Sequence, residues 1–273
     1  MKKTIHLVSF DVPFPPNYGG IIDVYYKIIA LRKQGISIIL HTYIDKHTER
    51  HNELEKYCLR VFYYKRNNQF LSLLSSMPFR VVSRNNSLLI KNINKFQAPI
   101  IFEGLHTTFL LSKNVLKNKT YVRTHNVEHN YFEGLAKSES NILKKVFYFI
   151  EARKLKSFEK YLHKADGIFT ISPNDQHYFS KVYGKKATYI PVCHEAQPLK
   201  RTNSQGSFIL YHGDLRISDN KKAVNFLIDV YKNSPYQFVI ASKEINGSIR
   251  KKIESYEHIR FEKITNQGQL KLL

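Results

Sequence analysis

The sequence predicts a parallel α/β fold in two doubly wound domains, the second of them incomplete. Short β-rich runs alternate with helical patterns over most of the chain, which is typical of parallel strands joined by crossover helices. The stretch at 194–206 then loses this periodicity and fills with polar and turn residues, as a linker does. Beyond it the alternation starts again at SFILYHG. These three observations place the domains at 1–193 and 207–273.

The first domain is predicted to contain six or seven strands. Each is a short run rich in β-branched and aromatic residues. The runs are TIHLVSF (4–10), ISIILHTY (36–43), LRVFYY (59–64), PIIFEG (99–104), TYVRT (120–124), GIFTIS (167–172) and ATYIPV (187–192). Helical patterns lie between them at 21–34, near 48–57, within 79–96, at 107–114 and in two helices that precede GIFTIS. This order describes one complete doubly wound domain.

The segment 141–164 predicts a long amphipathic helix with a basic face. Its apolar residues recur at close to helical spacing, with lysines and arginine between them. The apolar positions are Leu143, Phe147, Ile150, Leu155, Phe158 and Leu162. Two interpretations remain open: the helix packs on the sheet with a solvated basic exterior, or it attaches to an anionic membrane surface.

The second domain is predicted to be shorter than the first. Its strands are SFILYHG (207–213), YQFVIAS (236–242) and IRFEKI (259–264), and its helices cover 219–232, 245–254 and 267–273. Three strands and three helices are fewer than a complete doubly wound domain has. We therefore expect a truncated domain that leaves apolar sheet surface exposed.

Charge and cysteine content restrict the class of protein. The 273 residues carry a formal net charge of +21, which favours anionic partners such as nucleotides, nucleic acid or lipid headgroups. Cys58 and Cys193 form no paired motif, so a reducing cytoplasm is expected. The apolar run of the N-terminus ends at Asp11 without a cleavage site, which predicts a first strand and not a signal peptide.

The motif HNVEH at 125–129 allows two interpretations. His125, Glu128 and His129 match the H-x-x-E-H pattern of a zinc peptidase, which requires both histidines on one face of a helix. The strand TYVRT, however, runs directly into His125, so the two rings should diverge. We therefore expect no metal here, and a loop at the carboxyl end of a strand, where open α/β sheets bind ligands.

The loop DVPFPPNYGG, after the first strand, is a second candidate ligand site. Three prolines restrict its backbone, and Gly19 and Gly20 then precede a helix. Glycine lets backbone N–H groups approach a phosphate at a helix N-terminus. A structural turn is the alternative interpretation of the same glycine pair.

Four motifs together resemble glycosyltransferase family 4. They are the loop ending in YGG, the segment RTHNVE before a long helix, ADGIFTISPND, and YHGDLRISDNKKAVNFL after the linker. The resemblance covers about 230 residues in the order and spacing of the family. It implies a GT-B fold of two Rossmann-like domains, a retaining transfer without metal or other cofactor, a nucleotide-diphospho-sugar donor, and a polysaccharide or lipid-linked acceptor. A cytoplasmic protein, peripheral on the inner face of the membrane through 141–164, fits these partners.

The resemblance also implies roles for individual residues. It places His125 against the donor sugar as the catalytic residue, and Gly19, Gly20 and Gly213 beside the donor phosphates. The family's arginine and lysine after the second domain's first strand are absent, and Arg216 and Lys221 are their candidate substitutes. The residues expected to line the acceptor side or the cleft are Asn17, Tyr18, Glu103, Asn126 and Glu128.

Two rival functions follow from the same sequence. The net charge favours a basic nucleic-acid-binding protein, although no recognised nucleic-acid motif accompanies it, so no specific nucleic acid is expected. A zinc peptidase is the second rival.

Overall fold

The computed structural model describes residues 3–45, 50–67, 70–184, 187–195 and 206–265, without the side chains of residues 70 and 71. The described chain forms two compact units. The first contains the residues up to 132 and those from 149 to 195, and the second contains 133–148 and 206–265. Residues 133–148 thus group with the second unit although they precede the linker in the sequence.

The first unit is built on a seven-stranded, all-parallel sheet in the order β3-β2-β1-β4-β5-β6-β7. Its register is set by pairs such as Leu7 with Leu40 and Phe102 with Val122. The order reverses between β1 and β4, which opens a crevice at the carboxyl ends of these strands. The strands are β1 Thr4–Val8, β2 Ser37–Ile44, β3 Arg60–Lys65, β4 Ile100–Glu103, β5 Thr120–Thr124, β6 Gly167–Thr170 and β7 Ala187–Tyr189.

Helices pack against this sheet, and their apolar residues form the core together with those of the strands. Helix α1 buries Ile21, Val24 and Ile28 against β1 and β2, because these residues recur every three or four positions. The helices are α1 Gly19–Lys33, α2 Phe79–Val82, α3 Ser87–Ile93, α4 Phe109–Lys113, α5 Glu128–Ser138, α6 Ile142–Glu159 and α7 Pro173–Tyr183. Helices α5 and α6 each continue across the division between the two units.

Several predicted elements are shorter than expected. The pattern over 79–96 divides into α2 and α3, because the Asn86 side chain accepts from the N–H of Leu88 and starts a new helix. The pattern at 107–114 becomes a 3-10 turn at Leu105–Thr107 followed by α4. The polar pattern near 48–57 is a 3-10 helix at Asn52–Lys56, with 46–49 outside the described residues. The strand expected at 187–192 covers only Ala187–Tyr189.

Helix α6 packs only along its second half. Leu155 and Phe158 are buried, as is Leu162 in the 3-10 turn Lys160–Lys164 that follows. In contrast Leu143 is 82% exposed and Ile150 is 46% exposed. Of the two interpretations of 141–164, packing on the sheet therefore describes the second half, whereas apolar positions of the first half remain exposed.

The second unit contains a three-stranded parallel sheet in the order β10-β9-β8. Its core joins Val224 and Ile228 of one helix to Phe238 and Ile240 of the central strand. Strand β8 lies at an edge, where Leu210 is 40% exposed. The elements are β8 Phe208–His212, α8 Ser218–Tyr231, β9 Gln237–Ser242, α9 Gly247–Ile253 and β10 Ile259–Lys263; the helix expected at 267–273 lies outside the described residues.

A chain of buried polar rings crosses the first three strands. His6 Nδ1 lies 2.9 Å from His41 Nε2, and His41 Nδ1 lies 2.7 Å from the Tyr64 hydroxyl. His6 Nε2 lies 3.0 Å from the Phe96 carbonyl oxygen. Burial disfavours the charged imidazolium, so it lowers the pKa of His6 and lowers that of His41 to about 3.

These histidines predict a loss of stability in acid. An unfolded histidine titrates near 6.5, above the folded pKa, so the stabilisation is complete above about pH 6.5 and decreases as the pH falls towards about 3. Each histidine contributes a slope of up to about 1.4 kcal/mol per pH unit. Urea unfolding of the wild-type protein and of His41→Gln between these pH values measures the effect. An equal slope in both proteins would contradict the prediction.

Candidate active site

The candidate site lies at the carboxyl ends of β1, β4 and β5 in the first unit. Glu103 is the last residue of β4, and His125 follows the last residue of β5. The loop that leads to Gly19 and Gly20 leaves the end of β1. The order of the sheet therefore places the predicted residues at its switch point, where α/β sheets bind ligands.

A buried ion network occupies the floor of this site. The Lys27 ammonium lies 2.7 and 2.9 Å from the two Glu103 carboxylate oxygens and 3.0 Å from Asp23 Oδ2. Asp23 and Lys27 are four residues apart on α1, so both reach the sheet from the same side of the helix. Glu103 is completely buried, and its charge is stabilised there because Lys27 balances it.

Arg123 holds the opposite side of Asp23. Its Nε and one Nη donate to the two Asp23 oxygens at 2.9 and 3.0 Å, in the paired geometry that guanidinium and carboxylate favour. The same guanidinium donates to the carbonyl oxygens of Ile190 and Pro191 at 2.9 Å. The Cys193 N–H also donates to Asp23, at 2.8 Å. Arg123 thus joins β5 and α1 to the chain that leaves β7.

The carboxylates of this network are ionised. Burial alone would raise the pKa of Asp23, but the Lys27 charge and the Arg123 hydrogen bonds outweigh it and hold that pKa below its ordinary value. Burial likewise opposes ionisation of Glu103, and Lys27 together with the His125 hydrogen bond lowers the Glu103 pKa. Both groups therefore accept hydrogen bonds and donate none.

His125 is oriented by Glu103. Its Nε2 lies 3.1 Å from Glu103 Oε2, and its side chain is only 10% exposed. Because an ionised carboxylate only accepts, Nε2 carries the proton that it donates to Glu103. In the neutral ring, Nδ1 then has a free lone pair that can accept a hydrogen bond from a ligand hydroxyl.

The Phe10 ring connects His125 with the glycine loop. It meets the His125 ring edge-on at 5.5 Å between centroids and the His106 ring at 5.0 Å. A Cβ atom on Gly20 would lie 2.8 Å from the tip of the Phe10 ring, so a larger residue there would displace this ring. Gly20 and His125 are therefore separated by about one aromatic ring.

The start of α1 presents unsatisfied backbone donors. Tyr18 precedes the helix without a capping side chain, and the first turn contains no acidic residue. Gly19 is exposed, and so is Asn17. The Tyr18 hydroxyl lies 3.4 Å from Asp11 Oδ2, and burial raises the Tyr18 pKa. A helix N-terminus of this kind has a partial positive charge that favours an anion.

Glu128 belongs to a different group of side chains from Glu103. Its Oε1 lies 4.0 Å from His106 Nδ1, an atom with no hydrogen-bond partner among the described residues. Burial raises the Glu128 pKa, and the nearby Arg80 opposes this rise. Asn126 is exposed beside it. The sequence grouped Glu103, Asn126 and Glu128, but only Glu103 contacts His125.

The predicted residues of the second unit follow β8. Gly213 comes directly after this strand, and its N–H donates to the Ala241 carbonyl oxygen at 3.2 Å. Arg216 is engaged by Asp214, with Nε 2.9 Å from Oδ1 and one Nη 2.7 Å from Oδ2. Lys221 lies in the first turns of α8, and its side chain is half-buried. A ligand would have to compete with Asp214 for Arg216.

The histidines of HNVEH take different partners. His125 contacts Glu103 of β4, whereas His129 Nδ1, in the first turn of α5, lies 3.1 Å from Glu159 Oε2 at the end of α6. Ligand atoms of Asp23, Glu103 and His125 do lie within 4.8 Å of one another, as a metal site would require. Lys27 already balances both carboxylates there, so a cation would face an ammonium group at close range.

Chelation should therefore leave the protein unchanged. With Lys27 and Arg123 as the counter-charges of the carboxylates, we expect the same Tm with and without a chelator, and no stoichiometric zinc by elemental analysis. One zinc per chain, lost together with stability in His129→Ala, would instead establish the zinc interpretation of the motif.

Sequence reasoning missed three members of the network. Asp23, Lys27 and Arg123 were not predicted to belong to the site. The available signal was their setting: Asp23 and Lys27 lie in the apolar stretch 21–31, and Arg123 interrupts a β-rich run. Charged residues at such positions require partners, because their burial is otherwise costly.

Comparison with known sequences gives one informative relative. No protein-family model matches the chain. A protein of Klebsiella pneumoniae described as an uncharacterized 44.6 kDa protein in the cps region is 27% identical over 292 residues, which is 100% of this chain and 74% of the relative. Its description states no activity.

Comparison with solved structures defines the fold. The chain is similar to TarM, with a TM-score of 0.64 and 10% identity over 100% of this chain and 78% of TarM. It is also similar to sucrose-phosphate synthase of Thermosynechococcus elongatus, with a TM-score of 0.63 and 16% identity over 98% and 72% of the two chains. UGT2 of Phytolacca americana, complexed with UDP-2fluoro-glucose and pterostilbene, matches with a TM-score of 0.51 and 12% identity over 97% and 72%.

These similarities show the GT-B fold predicted from the sequence. The seven-stranded parallel sheet is the first Rossmann-like domain, and the three-stranded sheet fits an incomplete second one. Because sequence identity to the solved structures is low, they define the architecture alone.

Proposed function

We propose that this chain is a glycosyltransferase that moves a sugar from a nucleoside-diphosphate donor to a hydroxyl acceptor. The observation that carries the proposal is His125, which Glu103 orients at the switch point of a GT-B sheet, one aromatic ring from the Gly20 helix N-terminus. The complex of the Phytolacca americana enzyme with UDP-2fluoro-glucose supports this class of donor.

Each part of the site has a chemical role in this reaction. His125 Nδ1 accepts a hydrogen bond from a sugar hydroxyl while Nε2 remains bonded to Glu103. The uncapped N-terminus of α1 stabilises the negative charge that develops on the departing diphosphate. In the second unit, Gly213 lets backbone approach the donor, and Lys221 supplies positive charge once the donor binds.

We further propose retention of anomeric configuration without a metal. Glu103 and Asp23 are buried in contact with Lys27, so retention in this site would proceed without a covalent intermediate on either carboxylate, with the acceptor hydroxyl attacking from the side that the diphosphate leaves. The resemblance to glycosyltransferase family 4 supports a polysaccharide or lipid-linked acceptor and a cytoplasmic site of action.

A ligand screen tests the proposed donor. The purified chain is heated with UDP, GDP and dTDP and with UDP-glucose and GDP-mannose, and release of nucleoside diphosphate is measured in parallel. At about 100 times its Kd, a donor should stabilise the fold by about 2.7 kcal/mol. The nucleosides, which lack phosphates, serve as controls. No shift and no release with any nucleotide would overturn the proposal.

Because the net charge is +21, binding to nucleic acid is measured beside binding to nucleotides. Random-sequence RNA is titrated at increasing salt, because binding through phosphates alone weakens steeply as counterions compete. RNA binding that exceeds nucleotide-sugar binding at physiological salt would favour a nucleic-acid-binding protein.

A further inference from the structure

The first half of helix α6 exposes an unusual amount of apolar surface. Six large apolar side chains between positions 142 and 150 are at least one-third exposed. They are Ile142 (75%), Leu143 (82%), Val146 (51%), Phe147 (36%), Phe149 (49%) and Ile150 (46%). At 3.6 residues per turn they form two adjacent stripes, 142–146–149 and 143–147–150, and so one broad apolar side.

Part of this apolar side lies opposite to the face that α6 buries. Val146 precedes buried Leu155 by 155 − 146 = 9 positions, and Phe149 precedes buried Phe158 by 158 − 149 = 9 positions. Nine residues are two and a half helical turns, which places the members of each pair on opposite sides. The stripe 142–146–149 therefore lies on the side of the helix opposite to Leu155 and Phe158, whereas the stripe 143–147–150 borders the buried face, because Phe147 precedes Phe158 by 158 − 147 = 11 positions, about three turns.

The second half of α6 makes hydrogen bonds with other residues of the first unit. The Lys154 ammonium donates to the Leu73 carbonyl oxygen at 2.9 Å, and Glu151 Oε1 accepts from the Arg80 N–H at 3.2 Å. The Leu74 side chain, next to the Lys154 contact, is itself 75% exposed. These contacts belong to the second half of α6.

The charges on α6 select the kind of surface it fits. Both acidic residues of the helix, Glu151 and Glu159, are buried. The charged residues that α6 exposes are therefore basic, and they are Lys144, Lys145, Arg153 and Lys156. A folded protein partner would have to bury lysines among apolar side chains, whereas a bilayer lets them extend to its headgroups.

We propose that the first half of α6 docks on an anionic lipid bilayer. The stripes of Leu143 and Val146 enter the boundary between headgroups and acyl chains, and Lys144 and Lys145 reach the phosphates. This docking surface is separate from the His125 site, and it needs no sugar donor. Each lysine near the bilayer surface should raise the affinity for anionic lipid about fivefold.

A single tryptophan reports this insertion directly, because the chain has none. In Leu143→Trp, vesicles that contain phosphatidylglycerol should shift the emission to shorter wavelength, and lipids brominated on their acyl chains should quench it. The matched control is Phe226→Trp, since Phe226 is also strongly exposed, at 67%, but lies on α8. Its emission should not change.

Charge and apolar variants separate the two contributions to binding. The affinity for phosphatidylglycerol vesicles, measured by co-sedimentation, should fall about 25-fold in Lys144→Gln/Lys145→Gln. It should weaken at least about tenfold in Leu143→Ser, because an inserted leucine side chain is lost. The Phe226→Ser variant should bind as the wild type does, and high salt should weaken binding of the lysine variant less than it weakens binding of the wild type.

Three outcomes would overturn the proposal. These are unshifted Leu143→Trp emission in the presence of vesicles, equal shifts in Leu143→Trp and Phe226→Trp, and a concentration-dependent dimer that Leu143→Ser dissociates without any vesicle binding. The last would assign the surface to a second copy of the chain. Because vesicle binding is measured without nucleotide, failure here leaves the donor screen unaffected.

The described residues include no helix long and apolar enough to cross a membrane. The contact proposed for α6 lies in the plane of the bilayer surface.

Discussion

Replacing Arg123 with methionine should lower the free energy of unfolding by about 3–5 kcal/mol, because it leaves a buried carboxylate without its main partner. Asp23 would keep only Lys27 and the Cys193 N–H. The carbonyl oxygens of Ile190 and Pro191 would lose their donors as well. Urea unfolding measures the change, and Tm should fall by roughly 2–4 °C for each kcal/mol.

The chain supplies a matched control for this variant. Arg216 also pairs with an aspartate through two nitrogens, but its side chain is 58% exposed. Arg216→Met should therefore cost about 1 kcal/mol or less. Adding Asp23→Asn to Arg123→Met should recover part of the loss, since it removes the unpaired charge. Equal destabilisation by Arg123→Met and Arg216→Met would refute the ion network as a source of stability.

Replacing His125 with alanine should reduce sugar transfer by about 100-fold or more, while stability falls by less than about 2 kcal/mol. The two effects separate because Glu103 keeps Lys27 as its partner when the imidazole is absent. Initial rates with the donor found in the nucleotide screen, and urea unfolding of the same preparations, measure both.

Two further variants test whether the effect on the rate depends on the place of His125 in the site and on its contact with Glu103. His177→Ala removes an exposed histidine of α7, outside the site, and should leave the rate unchanged. Glu103→Gln keeps an oxygen near His125 Nε2 but loses the charge that favours the Nε2–H form, so its rate should lie between those of wild type and His125→Ala. Unchanged turnover in His125→Ala would remove His125 from the site.

The sequence predicted the fold and part of the site for physical reasons. Runs such as ISIILHTY are typical of strands that are buried on both faces of a parallel sheet, so the parallel α/β class followed from their alternation with helices. Glu103 and His125 were found because each ends a predicted strand. Asp23, Lys27 and Arg123 were missed, because periodicity treats a charged residue as outward and cannot identify a distant partner.

The same limit applies to the segment 141–164 and to Arg216. Periodicity showed that 141–164 has apolar positions at helical spacing, but it could not show that Leu143 is 82% exposed while Leu155 is buried. Composition showed that Arg216 is cationic, but not that Asp214 engages it. Burial and pairing depend on contacts between elements, which one sequence does not encode as a local pattern.

Arg123 also sets a limit on how this chain can be recombined with others. Its guanidinium fixes the carbonyl groups of Ile190 and Pro191, and its partner Asp23 fixes the Cys193 N–H. A chimaera that takes its first unit from this protein must therefore retain the chain through Cys193. A junction placed earlier, at the end of β7, would remove three backbone partners of Arg123 and Asp23, and the hybrid would inherit His125 and Glu103 beside an incomplete ion network.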